Sequence, residues 1–515
     1  MHHLDHYKEF IVHGDPSRSR KPPLHNGKGE RPRFRVRSGA LVRTLVEWPL
    51  LWLAGRVLHR MNPSRTVRFG YLLVTTIWWR AVLRPWLAGG VIRHIKLSWP
   101  FCDEPPLFHV SFELHPPKAR TDGALVEHTY TRARGQSLSA AMSRTIGEVV
   151  ERYPWSIWRE SGFLHRSHAE LLASGRDCLD LASLDFLPEF TGNRAKLRAD
   201  PKHRIAWTTA RRIVGRKTIE SHLPASFIHW NRDSQCDGGL LLKETSTHGG
   251  AAYPTVEGAL IRALLEWYGR DGFFHHWCLG LSPLRLSIDS IRLLGHRDLD
   301  ALLGETRALG CYDVHFLDVT SPKTPVPSIA CVLVDKRDSS ACRYAVGAGC
   351  DLDPGAACHA AMLEAWGVRQ WLVNHFDGKR PFVGKPVRLW GDHERLTWHA
   401  SGESHAAMRR FLSGEERPAT DAMARHTVLA AGASERTRLD CLCMLAEGHD
   451  DMAIWYALRT ETPGFDHLGL ASVRTFVSGL IPPFQNMAMM PRQCLHRRAA
   501  AIGRTHVNDI PHPYP

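Results

Sequence analysis

The segment TVEGALIRALLEWYGRD, residues 255–271, joins a clear helical pattern to a charge beside its apolar face. Its apolar residues recur at the spacing of one helix face: Val256, Ala259, Leu260, Ala263, Leu264 and Trp267. Thr255 is a suitable N-cap, and Arg270 falls within or beside the apolar face. A guanidinium there needs several acceptors, of which Glu266 one turn earlier supplies only part. A bound phosphate is a natural candidate for the rest.

Two other predicted helices carry the same combination of charges. In SLSAAMSRTIGEVVERY, Glu148, Glu151 and Arg152 lie on the flank and back of an apolar stripe, and alone they would indicate a solvated face with one salt bridge. In DLDPGAACHAAMLEAWGVRQW, the predicted helix holds Glu364 and Arg369. Carboxylates hold magnesium and guanidinium groups hold polyphosphates. Three such helices therefore suggest a site for Mg-ATP.

The remaining pattern predicts a mixed α/β fold with an N-terminal extension. LFHVSFELHP alternates like a strand, and SIACVLVD and ASVRTFVSGLI are strand-like runs between amphipathic helices. Residues 1–39, basic and rich in Pro and Gly from residue 14, are expected to be flexible. Residues 40–100 are expected to form a mainly helical extension, helical as far as residue 95. Residues 101–515 are expected to form the main domain.

Composition narrows the class of protein. Two apolar stretches, starting at Trp48 and Phe69, meet charged residues before the roughly 20 apolar residues of a membrane span, and no signal peptide is apparent. Twelve cysteines without a C-x-x-C pair indicate reduced thiols in a cytoplasmic protein, with neither a zinc site nor a disulfide framework. The net charge of +14 makes an anionic partner plausible: nucleotide phosphates, an acidic leader peptide or nucleic acid.

The ordered motifs resemble those of the YcaO family over roughly residues 100–515. Arg134-Gly135 precedes EVVER at the family's spacing, and THGGAAYPTVEGALIRALLEWYGRD looks like the family's polar turn and following helix. GAGCDLDPGAACHAAMLEAWGVR is similar to a third family segment, and FLDVTSPKTPVPSIACVLVD and LASVRTFVSGLIPPFQ to its interior strands. The resemblance implies an α/β (α+β) YcaO-type ATP-binding fold.

The resemblance also implies roles for particular residues. Magnesium would be bound by Glu148, Glu151, Glu257 and Glu266, and these residues together with Arg134, Arg152, His248 and Arg270 would hold ATP. The final PHPYP is similar to the Pro-x-Pro-x-Pro end of azoline-forming members, in which the carboxy terminus assists proton transfer, so Pro515 would be catalytic. The chain departs from the family pattern at four places: Asn is common where this chain has His248 and again near Pro254, and Glu is common where it has Gly258 and Gly269.

The reaction that the resemblance implies is ATP-dependent activation of peptide amides. Cys, Ser or Thr of a ribosomally made precursor peptide would be cyclodehydrated to thiazoline or oxazoline. A separate leader-binding protein related to ubiquitin-activating enzymes is the expected partner beside the precursor, a dehydrogenase is a further one, and no nucleic acid is expected. Two alternatives stay open: amide activation with an external nucleophile, as in thioamide formation, and a non-catalytic scaffold, which the charge and the lost carboxylates would suit.

Overall fold

The computed structural model describes most of the chain from residue 91 onward. The described residues are 10–13, 91–98, 103–115, 129–158, 160–181, 184, 202–230, 242, 246–337, 340, 342–376, 392–429, 432–460 and 468–514. Residues 10–13 of the expected flexible segment form a strand. The rest of that segment, the apolar stretches at Trp48 and Phe69, and Pro515 lie outside the described residues. The chain divides into two compact units, Met1–Val150 with Thr462–Leu468, and Glu151–Glu461 with Gly469–Pro515.

The first unit contains a four-stranded antiparallel sheet. Its strands, in order across the sheet, are β1 (Phe10–His13), β2 (Ile92–Ser98), β3 (Phe108–Leu114) and β4 (Thr129–Gly135). Helix α1 (Leu138–Arg152) follows β4, and its first turn is capped by Ser137, whose hydroxyl accepts a hydrogen bond from Ala140 N at 3.1 Å. The Thr145 hydroxyl of α1 lies 2.8 Å from the Ala141 carbonyl of its own helix and 3.2 Å from the Val110 carbonyl of β3, so it shares its hydrogen between the helix and the sheet.

The prediction of a helix as far as residue 95 is wrong for residues 92–95, which belong to strand β2. Ile92 and Ile95 are buried, and their i, i+3 spacing suits a helix as well as a bulged strand. A bulge between Ile92 and His94 breaks the strict alternation that would have indicated a strand. Strands β2 and β3 lie on either side of residue 100, where the sequence suggested a domain boundary, and they pair in one sheet.

The second unit is built on two further sheets. Its strands are β5 (Leu164–Arg166), β6 (Ile205–Val214), β7 (Lys217–Pro224), β8 (Gly250–Tyr253), β9 (Leu284–Leu286), β10 (Tyr312–Asp318), β11 (Ser328–Asp335), β12 (Tyr344–Cys350), β13 (Glu416–Arg417), β14 (Ile454–Arg459) and β15 (Ala471–Val477). One sheet has the order β12-β11-β10-β9-β13, with only β9 and β13 parallel among its pairs in the described chain. The other has the order β5-β6-β14-β15-β8, with β7 beside β6.

Eleven further α-helices are described in this unit. They are α2 (His168–Ala173), α3 (Ala225–Ile228), α4 (Val256–Cys278), α5 (Ile288–Arg292), α6 (Arg297–Leu309), α7 (Pro354–Phe376), α8 (Asp392–Ala400), α9 (His405–Phe411), α10 (Ala419–Met423), α11 (Glu435–Glu447) and α12 (Arg492–Ala501). Among the described residues, no helix combines the length and the apolar character needed to cross a membrane. The ten cysteines of this part are all free thiols, as predicted for them.

Helix α4 is the central element of the second unit. Its predicted cap is confirmed, since the Thr255 hydroxyl accepts a hydrogen bond from Gly258 N at 3.0 Å. The helix contacts β8 and β15 of one sheet and β11 and β12 of the other, and 17 of its 23 residues are buried. Successive residues Trp267 and Tyr268 point to different sides of the helix, yet both are buried. The helix is therefore enclosed nearly all round, whereas the sequence indicated one apolar face.

We expect Gly272→Ala in α4 to destabilise the protein, because an added Cβ would lie 2.2 Å from the Val319 carbonyl oxygen. Overpacking of this kind costs about 1–3 kcal/mol. Gly304→Ala is the matched control, since this glycine of α6 is exposed and has nothing within 4 Å of an added Cβ. There the exchange should stabilise by up to about 1 kcal/mol. Urea unfolding of both variants measures the difference, and equal midpoints would contradict the packing argument.

Candidate active site

Glu266 and Arg270 lie one turn apart on α4 and form an ion pair. Both Nε and Nη2 of Arg270 approach Glu266 Oε1, at 3.2 and 3.1 Å. The other carboxylate oxygen accepts a hydrogen bond from Gly249 N at 2.9 Å, and His248 Nδ1 lies 3.4 Å from Oε1. Burial acts to raise the pKa of Glu266, but His248 and Arg270 hold it well below its ordinary value. The carboxylate is thus kept ionised beside the arginine.

The glycine turn before β8 is tied to α4. Gly249 N–H donates a hydrogen bond to Glu266 Oε2, because the carboxylate of α4 packs against the turn. Gly249 has a φ of 76°, and an added Cβ would lie 2.6 Å from both Thr475 O and Trp267 Nε1. Only glycine fits this close approach to α4 and β15.

Arg474 of β15 is a site residue that the sequence analysis missed. Its side chain is buried and donates hydrogen bonds to the carbonyls of Ser246 and Thr247. Burial lowers the pKa of Arg474 to about 10, against the opposing effect of Glu266 and Glu151. The sequence does indicate such a residue, because an arginine inside the apolar run ASVRTFV would need buried partners, but the alternation of the run itself predicts only a strand.

Glu151, in the last turn of α1, lies beside Arg474. A Cβ at Gly250 would lie 3.1 Å from Glu151 Cγ and 3.2 Å from Arg474 Nη1, so these two side chains approach each other over the glycine. Arg152 Nε lies 3.9 Å from Glu151 Oε1, and the charge of Arg152 acts on Arg474. The second unit thus gathers two carboxylates, Glu151 and Glu266, with three guanidinium groups.

Helix α7 brings a further carboxylate toward Arg270. Its predicted start is confirmed, since Asp353 Oδ1 accepts a hydrogen bond from Gly355 N at 2.9 Å. Glu364 Oε2 accepts a hydrogen bond from Ala348 N at 2.7 Å. Burial opposes charging of Arg270, but Tyr514, Glu266 and Glu364 raise the pKa of this guanidinium above its ordinary value. Glu364 of α7 therefore lies close enough to Arg270 of α4 to favour its charged form.

Other predicted residues lie elsewhere. Glu257 is nine residues before Glu266 on α4, which places it roughly 13 Å away along the helix axis. Arg369 is buried against the rings of Tyr312 and Trp366, with its Cζ 5.3 and 5.7 Å from the ring centroids. The structure does not bring Glu257 together with Glu266, and Arg369 packs on aromatic rings.

Two residues of the predicted set belong to the first unit. The Glu148 carboxylate accepts a hydrogen bond from Arg132 N at 2.6 Å. The Arg134 carbonyl accepts one from Arg144 Nη1 at 3.0 Å. Their expected roles toward magnesium and ATP stay predictions.

The two glycines at positions where glutamate is expected from the resemblance are enclosed by other side chains. A Cβ at Gly258 would lie 2.0 Å from the Tyr253 ring, and a Cβ at Gly269 would lie 2.8 Å from Cys350 Cβ. The space of a larger side chain is therefore filled at both positions.

The donor set fits a nucleotide better than a metal held by protein alone. Arg474 is 4% exposed, and its Nε has no hydrogen-bond partner among the described residues, as expected of a guanidinium that awaits an anion. In the described part of the chain, no three His, Cys, Asp or Glu side chains are grouped as metal ligands. Magnesium is commonly bound by one or two carboxylates together with nucleotide phosphates. Glu151 and Glu266 suit that role.

Comparison with known proteins gives the family. Residues 132–481 match the model of a family described as YcaO cyclodehydratase, ATP- and Mg²⁺-binding. This match covers more than half of the chain, and the chain belongs to the YcaO family. No curated protein sequence matches it significantly.

Three solved structures with the same fold are 16%, 16% and 14% identical to the chain. A heterocyclase in complex with substrate and cofactor has a TM-score of 0.57, covering 80% of this chain and 53% of its own. YcaO from Methanopyrus kandleri bound with AMPPCP and Mg²⁺ has a TM-score of 0.54, covering 79% and 90%. The E. coli microcin synthetase McbBCD complex has a TM-score of 0.50, covering 75% and 87%. The chain spans about half the length of the first of these proteins. The predicted family and fold class are confirmed.

The lowered pKa of Glu266 predicts a pH-dependent contribution to stability. A carboxyl whose pKa is depressed on folding stabilises the native state above its unfolded pKa, and the contribution is lost as the pH falls. Glu266→Gln should therefore destabilise the protein at pH 7, and the difference from wild type should shrink below about pH 4.5, the ordinary value. Urea unfolding at several pH values measures it. Glu257→Gln controls for loss of one carboxylate from α4, and a Glu266→Gln effect that is constant with pH would contradict the assignment.

Proposed function

We propose that this chain is an ATP-dependent enzyme that activates backbone amides of a precursor peptide and cyclodehydrates Cys, Ser or Thr to azolines. The observation that carries the proposal is the gathering of Arg152, Arg270 and Arg474 with Glu151 and Glu266 in one unit. Such a set suits a magnesium-bound polyphosphate. Membership of a family described as ATP- and Mg²⁺-binding cyclodehydratases supports it.

The chemistry needs a leaving group, because an amide oxygen departs poorly as water. ATP, when bound, supplies the phosphoryl group that makes this oxygen a good leaving group. Charge builds up on the phosphoryl oxygens during transfer, so the protein contributes positioning and neutralisation. Arg270 is held in place by Glu266, and Arg474 by two backbone carbonyls, so both guanidinium groups are oriented in advance. This fixed geometry avoids reorganisation during the reaction.

Catalysis by Pro515 remains part of the proposal. Pro515 lies outside the described residues, but its neighbour Tyr514 places its ring over Arg270, with Arg270 Cζ 4.6 Å from the ring centroid. This contact supports a role for the adjacent residue at the same site. Proton transfer by the Pro515 carboxylate would then occur beside the ion pair of α4.

We also propose the partners that such a reaction needs. A precursor peptide is the substrate, and the similar structures include a heterocyclase with substrate and a microcin synthetase complex with pro-MccB17 bound. A separate leader-binding protein related to ubiquitin-activating enzymes, and a dehydrogenase, are the further partners proposed. The free thiols of the described cysteines suit a reducing compartment, which supports a cytoplasmic location.

The proposal predicts magnesium-dependent ATP binding that requires Arg270. Calorimetry with excess magnesium should show that Arg270→Ala binds ATP about ten- to a hundredfold more weakly than wild type, the range for loss of one charge-assisted contact. Glu148→Ala tests the carboxylate predicted from the sequence. Arg204→Ala is the control, since this exposed arginine pairs with Glu170 away from α4. Absence of ATP binding by the wild type would contradict the proposal and favour a scaffold.

A further inference from the structure

The segment of residues 508–514 runs from the surface into the second unit, and its last four residues are buried. Residues 511–514 are all buried, with His512 2% and Tyr514 6% exposed. The segment is fastened to the end of α4, because Asn508 N donates to the Cys278 carbonyl at 2.6 Å and Trp277 Nε1 donates to the Ile510 carbonyl at 3.0 Å. It therefore enters the core beside the helix that carries the ion pair.

The composition of this segment demands side-chain partners. Pro511 and Pro513 have no N–H, so the segment cannot join a regular strand ladder. Its buried carbonyls must still be satisfied. Helix α8 supplies the donors from two residues one turn apart. Arg395 Nη1 donates to the His512 carbonyl at 2.6 Å and to the Tyr514 carbonyl, and His399 Nε2 lies 2.9 Å from the Pro511 carbonyl.

The His512 ring completes the attachment. Its Nε2 lies 2.7 Å from the Phe484 carbonyl, an acceptor, so Nε2 carries the proton. Nδ1 then carries no hydrogen, and its lone pair lies 2.9 Å from Arg395 Nη1, whose two N–H groups are shared among this nitrogen and the two carbonyls. Protonation of Nδ1 would set an N–H against the guanidinium. Burial and the charge of Arg395 hold the pKa of His512 well below its ordinary value, which keeps the ring neutral.

The attachment determines where the Tyr514 ring lies. The ring packs on Phe273 at 4.9 Å between centroids and under the Arg270 guanidinium at 4.6 Å. We propose that Arg395 is a positioning residue, which holds residues 511–514 through two carbonyls and the His512 ring and thereby keeps Tyr514 against Arg270. The expected effect of Arg395 on ATP binding rests on the proposed function, whereas the attachment of residues 511–514 by Arg395 does not.

The attachment can be tested by labelling the wild-type and variant chains with diethylpyrocarbonate, which modifies accessible neutral imidazoles. Trypsin cleavage after Arg504 leaves His506 and His512 on one peptide, and His506 is exposed whereas His512 is buried. Mass spectrometry then gives the His512 to His506 labelling ratio, with His506 as internal reference. We expect a low ratio in wild type and a ratio about tenfold higher or more in Arg395→Met, the shift produced by losing one hydrogen bond to a charged group.

Two further variants keep the test decisive. Arg204→Met removes a surface charge far from this segment in sequence and contact, and it should leave the ratio unchanged. If Arg395→Met does not fold by circular dichroism, Arg395→Lys decides, because the lysine nitrogen ends one bond short of the position of Nη1, the atom that contacts both carbonyls and the His512 ring. An unchanged ratio in a folded Arg395 variant would overturn the inference.

The effect on the nucleotide is measured separately. Mg-ATP calorimetry on the folded Arg395 variant should show weaker binding than in wild type, because Arg270 loses its aromatic partner. A raised labelling ratio with unchanged ATP affinity would overturn the link between Arg395 and Arg270. If the wild type binds no ATP, the proposed function fails while the labelling result still decides the attachment.

Discussion

The structure of the second unit depends on satisfying an ion pair on an enclosed helix. Helix α4 lies against strands of two sheets, and the side chains of Arg270 and Glu266 are only 19% and 29% exposed, so they find most of their partners within the protein. The glycine turn supplies an N–H for the glutamate, and the Tyr514 ring supplies a face for the arginine. Removing one partner of such a pair costs far more than the pair itself contributes. These two charges therefore bind the glycine turn before β8 and the segment around Tyr514 to α4.

Carboxylate and carbonyl partners allow the second unit to hold three guanidinium groups close together without a large loss of stability. Two of the arginines have partners that fix their direction, since Arg270 bonds Glu266 and Arg474 bonds backbone carbonyls. Arg152 lies beside Glu151, with its Nε 3.9 Å from Oε1. The guanidinium groups repel one another less because the carboxylates are interleaved with them. A polyphosphate entering such a set would meet donors already oriented, with little side-chain entropy left to lose.

The sequence revealed the parts of this site that local pattern can express. The cap at Thr255, the pairing of Glu266 with Arg270 and the start of α7 follow from spacing within one helix. It failed where the deciding contact joins distant residues. Arg395 and His512 meet although they are 117 residues apart, and no periodicity indicates such an approach. Strand β2 was missed because a bulge disguised its alternation.

The glycine at position 258 has a consequence for how this site can change in evolution. Arg262 stacks its Cζ 3.6 Å over the Tyr253 ring and donates a hydrogen bond to the Gly258 carbonyl, so the ring, the glycine and the arginine form one packed group. A glutamate at 258 would displace the ring at 253, and the arginine would then lose its support. A carboxylate at this position therefore requires changes in the neighbouring ring and arginine as well, so a single substitution would give a less stable protein.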